Sequence, residues 1–419
     1  MRLLLEGGTV IDTFPEVVVR RGTDVLIEDG RIAAVGPGLS VDAEVIDASE
    51  RIVLPGFVDT HRHLWQTALR GITVDDGLGT YFERVLGAYG SRFRAEDVAA
   101  GNLVGALECL DAGITTVQDY SHVQRTPAHA DAALDALERS GIRAVFGYGP
   151  SPLGGGAVDA GEMRRIMSRQ SDRLGLAVAA IGPSFAPFET VRADWELADS
   201  LGVPVVVHIS SSSRTPDPIT QLRNAGLARP NTLYVHGNNL PDAELKVIAE
   251  TGAAVSITPT VEARMEMGRP LAGRLRAAGV DFSLGIDVVT TSGGDMFRAM
   301  HEVLALGYQA FSAADVLQLA TLGGARALGL ADVGSLAVGN KADVVLVRST
   351  DINLVGGLHD PVATVVTAAH PGNVDTVLVG GTPVKRHGHL VSTSLDQALG
   401  ALAESTAYLT ARGVRGSQH

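Results

Sequence analysis

Cysteine, lysine and long apolar runs are all scarce in this sequence. Cys109 stands alone, so neither an internal disulfide framework nor a thiolate-rich zinc or iron–sulfur site can be built. Any metal chemistry must therefore use histidine and carboxylate. Lysine occurs only as Lys246, Lys341 and Lys385, and the formal net charge is −13. With no basic cluster to offset that charge, phosphate backbones and anionic membrane surfaces are repelled, which argues against nucleic acid as a partner. No apolar run reaches the roughly 18 residues needed to cross a bilayer. The stretch Leu3-Leu4-Leu5 is too short for the apolar core of a signal peptide, so the expectation is a cytoplasmic protein without membrane partners.

What is present is a globular composition, 45% hydrophobic and 19% charged over 419 residues, long enough for a large domain plus a smaller one. Both ends are rich in short β-prone runs separated by glycine turns. Val25-Leu26-Ile27 and Ile32-Ala33-Ala34-Val35 lie near the start, and Val344-Val345-Leu346-Val347 and Val377-Leu378-Val379 near the end. They predict one composite β-sandwich domain from residues 1–54 and 336–393, with a C-terminal helix and tail over 394–419.

Residues 55–335 repeat a different unit, an Ala/Leu/Glu/Arg-rich run of helical spacing followed by a short, fully apolar strand. Eight such strands can be read: 52–59, 115–119, 142–146, 177–181, 203–208, 232–236, 253–257 and 281–287. Continuous apolarity is what a parallel sheet covered on both faces requires, and eight strand–helix units fit an α/β fold of the closed (β/α)8 TIM-barrel type, with a doubly wound open sheet as the alternative.

The histidines give the barrel a purpose. His61 and His63 follow the first strand at a spacing that points both rings to one side of extended backbone. His208 ends the fifth strand, His236 the sixth and Asp287 the eighth. In a parallel barrel all strand C-termini open on one face, so five groups distant in sequence converge there. Imidazole and carboxylate suit one divalent transition metal, Zn²⁺ first and Fe²⁺ as the alternative, with a coordination position left for water. Around this cluster, Trp65 and Gln66 follow the paired histidines and are expected to enter the pocket as an apolar wall and a heterocycle-reading amide. His122, just past the second strand, sits on the same face and is expected to titrate in a useful range. Glu262 and Glu266, after the seventh strand, could bring a carboxylate over the pocket. The triplet Gly154-Gly155-Gly156 lacks the following Lys-Ser/Thr of a phosphate loop, and His370 falls in the returning β-rich segment.

The run Leu54-Pro55-Gly56-Phe57-Val58-Asp59-Thr60-His61-Arg62-His63 resembles the opening signature of the amidohydrolase superfamily. Val207-His208, Val235-His236-Gly237-Asn238-Asn239-Leu240 and Leu284-Gly285-Ile286-Asp287 follow in that family's order. The stretch Leu284 to Phe297 is similar to the branch of triazine hydrolases and aromatic deaminases. The resemblance implies a single metal held by His61, His63, His208 and Asp287. It implies that His236 either ligates or hydrogen-bonds water and substrate, that Asp287 is the general base, and that the protein is a homodimer or larger homo-oligomer. No lysine ends a barrel strand, so the carboxylated lysine of two-metal branches has no candidate. One departure stands out: deaminases of this branch carry a Glu three residues after the fifth-strand His, where this chain has Ser211. A hydroxyl without a nearby base cannot shuttle protons at neutral pH.

The resulting expectation is a metal-dependent hydrolase acting on a C–N bond of a small cyclic or heteroaromatic compound, by deamination or a related hydrolysis. In it Asp287, His236 and His122 are catalytic, and Gln66, Trp65, His122, Ser211 and His236 meet the substrate. Because of Ser211, amide or lactam ring opening, or a non-hydrolytic lyase-type step, is the alternative. An inert binding protein of the same fold would have little reason to keep all five metal-site positions.

Overall fold

A computed structural model describes residues 2–154, 156–210, 215–306, 310–392 and 394–411. Gly155, Ser211, His419 and the end of the tail lie outside these residues.

The eight parallel strands are present in sequential order: β1 (Phe57–Arg62), β2 (Ile114–Ser121), β3 (Arg143–Tyr148), β4 (Leu174–Ala180), β5 (Val205–Ile209), β6 (Thr232–His236), β7 (Ala254–Ile257) and β8 (Asp281–Leu284). Each is buried over nearly its whole length, so both faces are covered and no polar alternation is needed. Closure between β8 and β1 is made by side chains and by the backbone just beyond the strands. Ser283 and Ser256 hydroxyls bond the Thr60 hydroxyl at 2.9 and 2.7 Å, and the Asp287 N–H donates to the His61 carbonyl at 2.8 Å. Returning the bond, the His63 N–H donates to the Asp287 carbonyl at 3.0 Å. The barrel seam thus passes through the residues that the sequence nominates as functional.

The chain's two ends form a separate mixed sheet of nine strands. Its seam pairs Arg51–Pro55 antiparallel with Val344–Arg348, Leu54 facing Val345, which joins the N-terminal strands to the returning ones. Leu3, Leu5, Ile27, Val53, Leu346 and Leu378 fill its core and are essentially solvent-free. The first apolar run, read from sequence as one strand over 52–59, is in fact two. Gly56 breaks it, with residues before it in the terminal sheet and Phe57 onward in the barrel. A Cβ at Gly56 would sit 1.9 Å from the Thr115 hydroxyl, so only glycine lets the chain cross between the sheets here.

The C-terminal helix, Leu395–Thr410, lies against the helix Ala95–Asp111, with Ala398 packed among Leu103 and Leu107. Its Thr406 hydroxyl donates to the Ala68 carbonyl at 2.9 Å, just behind the first metal-face loop. No helix among the described residues is long and apolar enough to cross a membrane.

Candidate metal centre and active site

The β1 end delivers His61 and His63 to the barrel mouth with rings 4.7 Å apart and nearly perpendicular. The residue between them points the other way. Arg62 is buried on the opposite side, where its guanidinium bonds Glu108 at 2.5 Å and the Gly294 carbonyl at 2.9 Å and lies 3.7 Å from Asp59. This is the i, i+2 alternation of extended backbone realised as a ligand pair in front and a charged anchor behind. Asp59 in turn accepts the His61 and Ile286 N–H groups, at 3.2 and 3.1 Å, which ties the start of the site to its end.

His208 from β5 places its ring 4.8 Å from His61, and His236 from β6 lies 5.5 Å from His208. Asp287 completes the ring. Its Oδ1 is 3.4 Å from His61 Nε2 and 3.3 Å from His63 Nε2, and its Oδ2 is 3.6 Å from His236 Nε2. Asp287 and His236 both adopt left-handed backbone, with φ of 67° and 63°, a conformation that residues other than glycine rarely take; at Asp287 the seam hydrogen bonds sustain it. At Gly285 a Cβ would come within 2.9 Å of the His61 Cβ, so glycine is required for the β8 end to approach β1 closely enough.

These groups fit a metal ion. The ligand atoms of His61, His63 and His208 lie within 4.8 Å of one another, as do those of His61, His236 and Asp287. His61 is fully buried, yet neither ring nitrogen has a hydrogen-bond partner, a costly state in a folded protein unless an ion takes one lone pair. His63 gives Nδ1 to the Tyr120 carbonyl at 2.8 Å, which frees Nε2 for the centre. Burial lowers the His61 pKa to about 4 and, with the neighbouring rings, holds His208 well below the ordinary range, so both are neutral, as ligands must be. Burial works against the charged ring of His236 too, but Glu262 and Asp287 outweigh it and the pKa is raised. Asp287 is opposed by burial, yet the imidazoles around it keep its carboxyl well below the usual carboxylate value.

Above the cluster opens a cavity of about 660 Å³. His63, His122, His208, His236 and Asp287 form its base, while Leu78, Tyr81, Phe82, Ile181, Phe185 and Met265 supply apolar walls. Among the described residues that line it there is no lysine or arginine.

The remaining nominated residues are spread around this base. His122 lines the cavity, 4.5 Å from the His63 ring. Burial, with the neighbouring His63 and His61, pushes its pKa well below the ordinary value, away from the useful range expected of it. Trp65 is buried behind His122, its ring 5.4 Å away edge to face, and packs on Phe93. Gln66 is also fully buried, and it meets the cavity only through Tyr81, whose hydroxyl it contacts at 2.7 Å. Tyr81 carries no strand-end signal; it lies in the short helix Leu78–Tyr81, whose direction depends on the fold around it. Glu266 lines the cavity and is exposed. Glu262 does not swing over the pocket. It is buried in the first turn of the helix Pro259–Arg264, behind His236. The Ser211 position falls outside the described residues. His370 accepts the Gly372 N–H and caps a turn in the terminal sheet, a structural role.

The Amidohydrolase family profile matches residues 52–384. A 5'-deoxyadenosine deaminase of Methanothermobacter thermautotrophicus is 32% identical over 92% of this chain and 95% of its own. A 5-methylthioadenosine/S-adenosylhomocysteine deaminase of Symbiobacterium thermophilum is 30% identical over 91% and 92%. Among solved structures, an adenosine deaminase of Xanthomonas campestris with bound zinc superposes with a TM-score of 0.88 at 26% identity, covering 97% of this chain and 98% of that one. The atrazine chlorohydrolase TrzN of Arthrobacter aurescens, in complex with zinc, shares the fold with a TM-score of 0.86 at 23% identity, over 96% and 100%. The chain belongs to the amidohydrolase family. It is a metal-dependent hydrolase of carbon–nitrogen bonds.

Proposed function

We propose that this protein is a zinc-dependent aminohydrolase that removes the exocyclic amino group of an uncharged aminopurine-type compound bearing an apolar substituent. The observation that carries the reading is the convergence of four histidines and Asp287 at the base of a cavity whose described walls are mostly apolar and hold no lysine or arginine. Support for the substrate class comes from the deaminases of 5'-deoxyadenosine and 5-methylthioadenosine that the chain resembles. Zinc is favoured over iron because the similar solved structures hold it.

His61, His63, His208 and Asp287 would hold the ion, with His236 beside them. When bound, the ion supplies Lewis acidity and makes water a competent nucleophile near neutral pH. Asp287 accepts the proton of the attacking water, being the carboxylate in the cluster and kept ionised by its imidazole neighbours. Tyr81, Phe82 and Phe185 cover the heterocycle and exclude bulk water. Water adds to the amino-bearing ring carbon and the C–N bond breaks; of the two protons the water gives up, one goes to the amino group, which leaves as ammonia, and the other to the adjacent ring nitrogen, so the product is the ring lactam.

The test is ammonia release by the zinc-loaded protein across 5'-deoxyadenosine, 5-methylthioadenosine, S-adenosylhomocysteine and amino-triazines. We expect turnover of the two neutral nucleosides and a weaker response to S-adenosylhomocysteine, whose charged tail finds no cation on the described walls. No ammonia from any of them would overturn deamination. Ser211, in place of the branch's Glu, would then favour the second reading, opening of an amide or lactam ring.

A further inference from the structure

Resting on that reading of the site, we infer that Glu262 is a positioning residue that fixes which ring nitrogen of His236 carries hydrogen, and thereby which one faces the reacting centre.

An imidazole at the mouth of a water-filled cavity would sample both neutral tautomers, and only one of them presents a free lone pair at a given nitrogen. His236 is not left to that choice. Its Nε2 faces Asp287, 3.6 Å away, on the cavity side. Its Nδ1 faces backwards, 3.3 Å from Glu262 Oε1 and 3.2 Å from the Thr258 hydroxyl. An ionised carboxylate accepts hydrogen bonds and cannot donate, so this contact selects the tautomer with hydrogen on Nδ1 and leaves Nε2 to the centre.

Glu262 is itself immobilised. Its Oε1 accepts the Thr258 N–H at 2.8 Å and its Oε2 accepts the Asn238 amide at 3.0 Å, with only 4% of the residue exposed. Asn238 follows His236 by two residues, so one carboxylate binds the β6 end twice, once through the ring and once through its neighbour. A rival role exists in the same bonds, since Thr258 precedes the helix and Glu262 lies in its first turn, where an acidic side chain serves as a helix cap. A cap alone would be indifferent to what the His236 ring does.

The zinc-loaded wild-type protein separates the two by long-range ¹H–¹⁵N correlation of its histidines, a measurement that needs no turnover. We expect His236, assigned by its loss in His236→Asn, to show hydrogen on Nδ1 and none on Nε2; hydrogen on Nε2, alone or together with Nδ1, would overturn the inference. Activity supplies the second arm on whichever substrate the protein turns over. Glu262→Gln should lower kcat by about 10- to 100-fold at unchanged zinc content, the range typical of partners that orient site histidines. The same substitution in a His236→Asn background should cost less than about 2-fold. Equal losses in both backgrounds would mark Glu262 as a cap and overturn the inference, as would full activity of the single variant. Should Glu262→Gln fail to fold, the wild-type spectrum decides alone. A protein that deaminates nothing but shows the Nδ1–H tautomer would sink the proposed function and leave this inference standing.

Discussion

The barrel mouth and the terminal sheet are both buried, and they treat polar atoms in opposite ways. In the sheet, backbone ladders pair the polar groups and Leu3, Val53 and Leu346 close the space between them. Within the mouth, the ring nitrogens of His61 and the His122 Nδ1 have no hydrogen-bond partner. Folding cannot favour such vacancies, because each buried unpaired polar atom costs on the order of 1–3 kcal/mol. The contrast is one of composition: the mouth gathers four imidazoles and a carboxylate within a few ångströms of one another, whereas apolar side chains close the terminal sheet.

The sharpest way to break the contrast is to remove the one carboxylate at the centre of the mouth. Asp287→Asn should cut kcat by about 10³-fold, within the range for a lost general base, and should lower bound metal if, as proposed, the same residue serves both roles. Steady-state kinetics with metal analysis on the purified variant checks it; near-normal turnover would show that Asp287 is scaffold.

Much of this contrast is legible in the amino-acid sequence alone. Parallel strands covered on both faces must be continuously apolar, so the eight units stand out, and histidines at strand ends inherit the geometry of a barrel face. What stays hidden depends on side-chain direction in non-strand segments. Tyr81 sits in a four-residue helix with no periodic signal. Glu262 reads as a loop glutamate that could reach over the pocket until the helix Pro259–Arg264 is seen to turn it toward the back of His236. The break at Gly56 is equally invisible, since an apolar run looks alike whether one strand or two. Asp194 belongs to the same class of surprise: in the helix Phe188–Leu201 it would be taken for the wet face, yet it is turned inward.

The scaffold half of the contrast predicts an effect on stability alone. Leu346→Ala should destabilise the fold by about 3 kcal/mol, the middle of the range for a fully buried leucine, and lower the melting temperature by several degrees. Turnover per metal-loaded molecule should stay within about 2-fold of wild type at room temperature. A large loss of kcat with intact folding would mean that the terminal sheet participates in the chemistry.

Asp194 tests the contrast at its edge, as a buried polar group outside the metal cluster. Its Oδ1 accepts the Val158 N–H at 2.8 Å and its Oδ2 has no partner. Burial raises its pKa to about 7, with the Val158 N–H pulling the other way. The folded state therefore holds a proton that the unfolded chain releases near its ordinary value, so this residue makes stability fall as pH rises from about 4 to about 7 and stay low above that. Asp194→Asn keeps the acceptor and removes the charge. We expect it to stabilise the protein by about 2 kcal/mol at pH 8 and by almost nothing at pH 4, read as the difference between variant and wild-type melting temperatures at each pH. A gain equal at both pH values would mean that Asp194 is not charged inside the fold at pH 8. A loss at pH 8 would mean that its free oxygen is matched after all by a group from outside the chain, which would move Asp194 from the scaffold side of the comparison to the functional one.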